Sequence, residues 1–429
     1  MAHRRNSRFR LKPLAAALAG LAFTPHAAWA QTPPQAETTL PEVKVRDTAD
    51  KDYSQGVTTV GKVPTPIRDI PQSVTVINRA VMEAQGAASL GDVLRNVPGI
   101  TLTAAEGGTI GNNINLRGFS ARTDLYLDGV RDRGQYYRDI FALDAIEVLK
   151  GPSSMLFGRG STGGVINQVS KVPSLTPHSE ISVMAGTQPS LRLTADVDRP
   201  TSDTSAFRVA MMAQDVDSTR DVMHNRDYGI APSMRFGIGT PTEITLSALA
   251  LHNNDMPDYG LPPLNGRPAP VDRHNFYGLT DDRTIQDVGE LSLRIRHRIS
   301  PAMTLRNQTQ FSAYRTDARE SGPNNVGTVT GGVYTPLPGG NNNGNITGIP
   351  PEQLFVGLGS HDRVIYDRSL YNQTDLISEF ATGPVKHTLL TGLELGRDYY
   401  RNQAYSRNIP PNNFFAAVSL TDPAHNSGS

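Results

Sequence analysis

The chain has 429 residues, a length that allows two or more domains. Its 41 Lys and Arg balance 41 Asp and Glu, so no basic field is available for a nucleic-acid partner. Cysteine is absent, which excludes a disulfide framework, a thiol nucleophile and a zinc–thiolate site.

Residues 1–30 have the three parts of a secretory signal peptide. Arg4, Arg5, Arg8, Arg10 and Lys12 make a positive start, Leu14 to Phe23 is a short apolar run, and Ala28-Trp29-Ala30 precedes Gln31 as a small-x-small cleavage site. Beyond residue 30 no apolar stretch reaches the length of a spanning helix. Residues 31–63, rich in Thr, Pro, Asp and Gln, read as a flexible tail that cannot bury enough surface to fold alone. Within it, Leu40-Pro41-Glu42-Val43-Lys44-Val45 is a short β-prone patch suited to strand addition on a partner's sheet edge.

Residues 64–172 read as a compact α+β domain with a small mixed sheet. Val74 to Ile77, Ile114 to Arg117, Leu125 to Leu127 and Ala145 to Leu149 are strand-like, and Val81 to Arg95 is helical. Pro98-Gly99, Asp128-Gly129 and Gly151-Pro152 mark turns between them. The glycine-rich stretch Gly158 to Gly164 is not a phosphate loop, because it lacks the Gly-Lys-Ser/Thr ending and leads into a strand-like Val165-Ile166-Asn167.

From residue 178 to 429 the pattern becomes alternating. Ile181 to Met184, Leu191 to Ala195, Phe207 to Met211, Ile244 to Leu249, Leu291 to Arg296 and Leu389 to Leu395 carry apolar and polar residues in period two. That is the pattern of an antiparallel transmembrane β-barrel, with one face in lipid and the other in a polar lumen. Short links at Pro200 to Ser205 and Gly239 to Thr242 contrast with long polar links at Asn253 to Asp287 and Asp317 to Asp362, as periplasmic turns contrast with extracellular loops.

Six sequence pieces occur in order: Pro71-Gln72-Ser73-Val74-Thr75-Val76, Ile114-Asn115-Leu116-Arg117-Gly118-Phe119, Leu127-Asp128-Gly129-Val130, Ile146 to Pro152, Ser154-Met155-Leu156-Phe157-Gly158, and Gly163 to Asn167. Together they resemble the plug of TonB-dependent outer-membrane siderophore receptors. Asp128 to Asp139 looks most like the catecholate branch, and Pro257-Asp258-Tyr259-Gly260-Leu261-Pro262 is a looser match. The resemblance implies a plug inside a barrel of roughly 22 strands. It implies active transport of a ferric siderophore across the outer membrane by a monomer working with TonB, ExbB and ExbD. Leu40, Pro41, Glu42, Val43, Lys44 and Val45 look like a TonB box, although Pro41 departs from a simple strand because it cannot donate to a ladder.

The resemblance also assigns Arg117 and Lys150 to charge pairing between plug and barrel wall, since a charge in the lumen requires a partner. Ferric triscatecholates are aromatic and anionic, which calls for arginine and aromatic rings. The expected siderophore-binding residues are Arg131, Arg133, Gln135, Tyr136, Tyr137 and Arg138 in the plug, with Tyr259, Arg273, Phe276 and Tyr277 in the first long loop. No catalytic residues, resident metal or cofactor are expected, and the protein is not read as an enzyme. The alternatives are a receptor for another chelate (hydroxamate siderophore, haem or cobalamin) and a passive porin or adhesin barrel. About nine or ten strand-like runs follow residue 178, so the barrel is expected to be incomplete and the sequence truncated at its C-terminus.

Overall fold

The computed structural model describes residues 53, 56–58, 60, 62–102, 113–153, 157, 162–338, 346–408 and 414–425. The signal peptide, Leu40 to Val45 and Ser154 to Leu156 lie outside the described residues.

The first part of the described sequence is an α+β unit. A hairpin of β1 (Val57–Thr58) and β2 (Thr65–Pro66) leads to β3 (Ser73–Asn78), α1 (Arg79–Ala84) and α2 (Leu90–Leu94). The helices are short, and their ends are tied by side chains. Asn78 Oδ1 accepts from the Val81 amide at 3.1 Å, and Ser89 and Asp92 form a reciprocal capping box. Next come β4 (Ile100–Leu102), β5 (Ile114–Leu116) and β6 (Phe119–Ser120), which form a small antiparallel sheet. They are followed by β7 (Leu125–Leu127), β8 (Val130–Arg131), β9 (Leu143–Lys150) and β10 (Gly164–Ser170).

The main sheet of this unit has the order β3-β9-β10-β7-β8, with β10 parallel to β7 and the other neighbours antiparallel. Because β9 and β10 are central, they read as near-continuous apolar runs rather than alternating ones. Ile146, Val148 and Ile166 are fully buried, and they pack with Ile77, Leu90, Val93, Leu94, Leu116 and Leu125 as the core.

The second part is a long antiparallel sheet. Its strands are β11 (His178–Ala185), β12 (Ser190–Ser202), β13 (Ser205–Asp217), β14 (His224–Phe236) and β15 (Thr242–Asp255). A loop with the hairpin β16 (Pro263–Leu264) and β17 (Arg267–Pro268) follows, then β18 (Arg283–Ser300) and β19 (Met303–Arg319). The next loop contains β20 (Ser321–Thr330), β21 (Val333–Pro336) and β22 (Phe355–Ser360). The sheet resumes with β23 (Arg363–Thr382) and β24 (Val385–Ala404), and β25 (Ala416–Ser419) returns to the loop region. The order β11-β12-β13-β14-β15-β18-β19-β23-β24 is that of a barrel wall that does not close on itself among the described residues.

The polarity of this sheet is inverted relative to a soluble protein. Ile181, Leu191, Met211, Met234, Leu246, Leu291, Phe311, Leu370 and Leu393 stand exposed on one face. The other face buries Arg192, Asp196, Arg208, Thr245, Asn253, Gln286, Gln310, Asp367 and Gln373. An apolar exterior and a polar interior are what a lipid-embedded barrel wall requires. No described helix is long and apolar enough to cross a membrane.

The links alternate in length. Two residues join β12 to β13 and β23 to β24, whereas 256–282 and 320–362 join strands at the opposite rim. The long links are not irregular polar loops, as their composition suggested. The second folds with β25 into a sheet of order β21-β20-β22-β25, whose core of Val326, Leu354, Val356, Leu358, Val418 and Leu420 also takes in Ala269, Tyr277 and Leu279 of the first. Pro200 and Ser205, read from the sequence as ends of a turn, lie inside β12 and β13.

Candidate functional site

The segment leaving β8 runs from Arg131 to Ile140 with a bend at Tyr136, and its successive side chains alternate between two sides. The even-numbered residues Asp132, Gly134, Tyr136, Arg138 and Ile140 are buried, while Arg131, Arg133, Gln135, Tyr137 and Asp139 are half-buried. One short segment thus presents two chemically distinct faces.

The even face is an internal lock. Arg138 Nε donates to Asp132 Oδ2 at 2.9 Å, and another of its nitrogens donates to the Gly134 carbonyl at 2.6 Å. Tyr136 donates its hydroxyl to Asp132 Oδ2 at 3.0 Å. Tyr314, on β19, donates to Asp132 Oδ1 at 3.0 Å, so the barrel wall shares the lock. The Arg138 guanidinium lies 4.2 Å from the Tyr136 ring centroid, and Tyr136 stacks on Tyr314 at 5.3 Å. Burial alone would lower the Arg138 pKa, but Asp132 outweighs it and holds the guanidinium above its ordinary value. Burial pushes the Tyr136 phenol well above its ordinary range, and Asp132 adds to that shift. A Cβ at Gly134 would fall 2.7 Å from the Tyr314 ring and 2.8 Å from that of Tyr136, so only glycine fits between them.

The odd face meets the wall and the mouth. Asp139 accepts two bonds from Arg192 on β12, at 2.7 and 2.8 Å. Arg133 donates to Asp398 on β24 at 2.7 Å; burial lowers its pKa, but Asp398 more than compensates and the net shift is upward. The Tyr137 amide donates to Gln286 on β18 at 2.9 Å, and its carbonyl accepts from Asn253 on β15 at 3.2 Å. Gln135 accepts through its side chain from Arg122 and through its carbonyl from Gln286 and Thr316. Arg131 donates to the Thr123 carbonyl at 2.8 Å and has no carboxylate within ion-pair distance among the described residues.

The ten residues proposed from sequence therefore separate. Arg131, Arg133, Gln135 and Tyr137 share one face, whereas Tyr136 and Arg138 are turned inward and engaged within the protein. In the first long loop Arg273 is exposed, and Phe276 and Tyr277 are buried. The Tyr277 hydroxyl donates to the Leu420 carbonyl at 2.5 Å. Tyr259 donates to Glu320 at 2.8 Å and stacks on His361 at 5.5 Å, joining two loops.

Arg117 is exposed and, like Lys150, forms no ion pair with the wall among the described residues. Other plug residues do pair with the described strands of the wall. Asp196 on β12 accepts from Arg79 at 3.0 Å, Lys171 at 2.9 Å and Arg208 at 2.8 Å, and Arg79 also reaches Glu180 at 2.5 Å. Burial, reinforced by Arg79, lowers the Lys171 pKa even beside Asp196. Sequence reasoning missed Asp132, Asp139, Arg79 and Lys171. The available signal was the pairing of opposite charges at Arg131-Asp132-Arg133 and at Arg138-Asp139, which suits side chains that alternate between two sides. Among the described residues no group of three or more His, Asp or Glu converges as a metal site.

Comparison with known proteins agrees with this architecture. Residues 66–165 match the TonB-dependent receptor plug domain. The catecholate siderophore receptor Fiu of Escherichia coli K12 is 32% identical over 381 residues, covering 84% of this chain and 48% of Fiu. The probable TonB-dependent siderophore receptor PiuA of Acinetobacter baumannii is 34% identical over 295 residues, covering 66% of this chain and 40% of PiuA. The crystal structure of the closed form of the ferric-catecholate import receptor Fiu superposes with a TM-score of 0.76 at 30% identity, over 87% of this chain and 53% of that one. The chain spans about half the length of the curated relatives it matches. A matched plug seated on the polar face of a lipid-exposed β-sheet is an outer-membrane arrangement, and over the residues it spans the chain carries a TonB-dependent receptor plug domain and is similar to siderophore receptors.

Proposed function

We propose that the protein takes part in TonB-dependent uptake of a ferric siderophore, of the catecholate type, across the outer membrane. The observation that carries this reading is the odd face of the plug segment. Arg131, Arg133, Gln135 and Tyr137 combine guanidinium, amide and phenol groups on one edge, and bonds to four wall strands fix its position. An anionic complex with aromatic ligands is recognised by that mixture through charge, hydrogen bonds and cation–π contact. Fiu, named as a catecholate siderophore receptor, supports the ligand class.

In this reading the ligand docks on the odd face and disturbs the bonds that hold the segment to the wall. The change passes through the plug sheet to the N-terminal tail, where Leu40, Pro41, Glu42, Val43, Lys44 and Val45 serve as the TonB box. TonB captures Val43-Lys44-Val45 as an added strand, and ExbB and ExbD supply the force from the inner membrane. Binding and capture are then coupled across one domain.

The test is uptake of radiolabelled iron as a ferric catecholate, in cells deleted for their other catecholate receptors, with and without TonB. Uptake that requires both the protein and TonB is expected. Uptake that persists without TonB would assign a passive barrel, and uptake of a ferric hydroxamate alone would assign another chelate.

A further inference from the structure

The plug sheet has two faces, and the link of the hairpin β1–β2 packs on the one turned away from the helices. Along β9, Ile146 and Val148 point to the helical core, while Glu147 and Leu149 point the other way. On that second face Leu149, Val165 and Tyr126 pack against Val60, which lies between the two strands of the hairpin. Glu147 sits in the same layer and is only 1% exposed. A carboxyl there is costly unless its oxygens are bonded, and an apolar side chain would carry no such requirement.

Both oxygens of Glu147 are engaged, each by a different part of the chain. Oε1 accepts from the Thr58 hydroxyl at 2.5 Å, and Oε2 accepts from Asn167 Nδ2 at 2.8 Å. Asn167 is the cross-strand neighbour of Glu147 on β10, and its own Oδ1 accepts from the Gly129 amide at 2.9 Å. Asn167 cannot turn its amide over without losing Gly129, whose N–H can only donate. Gly129 belongs to the turn between β7 and β8, where Asp128 and Gly129 take φ of 51° and 82°. Arg131, at the start of the odd face, is the last residue of β8. Thr58 and Asn167 are buried like Glu147, so breaking one bond leaves a polar group that water does not reach.

We infer that Glu147 is a positioning residue that ties the turn leading to Arg131 to the hairpin at the start of the plug. While Asn167 is in place, the carboxyl holds Thr58 and the hairpin link stays down on Leu149 and Val165. A shift of the β7–β8 turn that draws Asn167 away takes the carboxyl with it, and Thr58 loses its acceptor. The pull is mutual, so loosening either end loosens the other. The direction of travel, from a ligand on the odd face toward the tail that precedes the hairpin, rests on the function proposed above; the link itself does not.

The experiment is amide hydrogen exchange on the full-length protein in nanodiscs, read at both ends of this chain of bonds. Ile67 donates to the Gly56 carbonyl at 3.0 Å and reports the hairpin, while Gly129 reports the turn. Thr58→Val keeps the side-chain shape and removes the hydroxyl. It is expected to speed exchange at both Ile67 and Gly129 by about tenfold, with Ile146 and Val148 unchanged as the sign that the plug is folded. Asn167→Ala should speed Ile67 from the other end. Glu147→Leu reproduces both effects, and Glu147→Gln, which keeps one acceptor, restores most of the protection. Faster exchange at Ile67 with Gly129 unchanged in Thr58→Val would overturn the inference, as would an unaffected Ile67 in Asn167→Ala. In a second arm, a ferric catecholate speeds exchange at Ile67 in the wild type and adds nothing in Glu147→Leu; an equal increase in both proteins would also overturn it. The first arm contains no chelate, so its failure is distinct from a failure of the proposed ligand reading.

Discussion

Asp132 and Arg138 form a charge pair at 2.9 Å inside the plug, with Asp132 fully buried and Arg138 only 2% exposed. The pair holds one side of an extended segment in place so that the other side can face the lumen. Removing one partner leaves a buried charge without its counter-ion, and Asp132→Asn is expected to lower stability by about 3–5 kcal/mol. Chemical denaturation of the purified protein, followed by tyrosine fluorescence, checks this. If the pair matters chiefly for holding the segment, Asp132→Asn also weakens ligand binding although Asp132 touches no ligand.

The two arginine faces should respond differently to mutation. Arg131→Ala is expected to reduce affinity for a ferric catecholate by about tenfold with little effect on stability, whereas Arg133→Ala lowers affinity and also loosens the segment by leaving Asp398 without its partner. Arg138→Ala should act mainly through stability. Calorimetric titration alongside thermal melts separates the two classes, and a binding loss confined to Arg138→Ala would reverse the assignment of the faces.

Gly134→Ala places a methyl group against the Tyr314 and Tyr136 rings, at 2.7 and 2.8 Å. Overpacking of this kind costs about 1–3 kcal/mol. The expected readout is a lower melting temperature that Tyr314→Leu partly relieves, because that substitution opens the space the methyl group needs.

Glu320 ties the extracellular loops together, accepting from Thr284 at 2.6 Å and Tyr259 at 2.8 Å. Burial raises its pKa to about 7 from 4.5, against the opposing effect of those two hydrogen bonds. An acid whose folded pKa is raised stabilises the fold through its protonated form. That contribution is complete below pH 4.5 and fades as the pH rises through about 7. Protection factors for amides of β22 should therefore be higher at pH 5 than at pH 8, by about 2 kcal/mol. Glu320→Gln should flatten the dependence, and His361→Gln tests whether the stacked imidazole contributes to it.

Val43→Pro should abolish uptake while leaving ligand binding intact, since proline cannot donate in an added strand. Uptake assays paired with whole-cell binding of the ferric complex distinguish the outcomes. Loss of both would remove the assigned role of Leu40 to Val45.

The period-two runs in residues 178–429 made the wall legible, because a strand between lipid and lumen must alternate and alternation is visible in one dimension. Leu191-Arg192-Leu193 and Leu291-Ser292-Leu293 mark β12 and β18 in this way. In the plug, Val74 to Ile77 and Ala145 to Leu149 fall inside β3 and β9, because short runs rich in β-branched and apolar residues read as strands. The loop core of Val326, Val356 and Val418 was not visible, because its members come from three strands far apart in sequence.

The sequence by itself determined the two-part architecture and the arginine-rich segment at Asp128 to Asp139, since both are written in local periodicity and residue type. Only the tertiary structure decided which arginine does what. Arg131, Arg133 and Arg138 are equivalent as letters, but the alternation of the segment leaves the first two half-buried on one side and buries the third on the other. The Asp132 carboxylate and the Tyr314 hydroxyl, 182 positions away, then fix Arg138 in the interior. Among the described residues, charge pairing between plug and wall is found at Arg79, Lys171 and Asp139, whose partners Asp196 and Arg192 lie on the inward face of β12. A carboxylate's reach across the lumen depends on strand register and on how the plug is seated, and neither is a property of any local stretch of sequence.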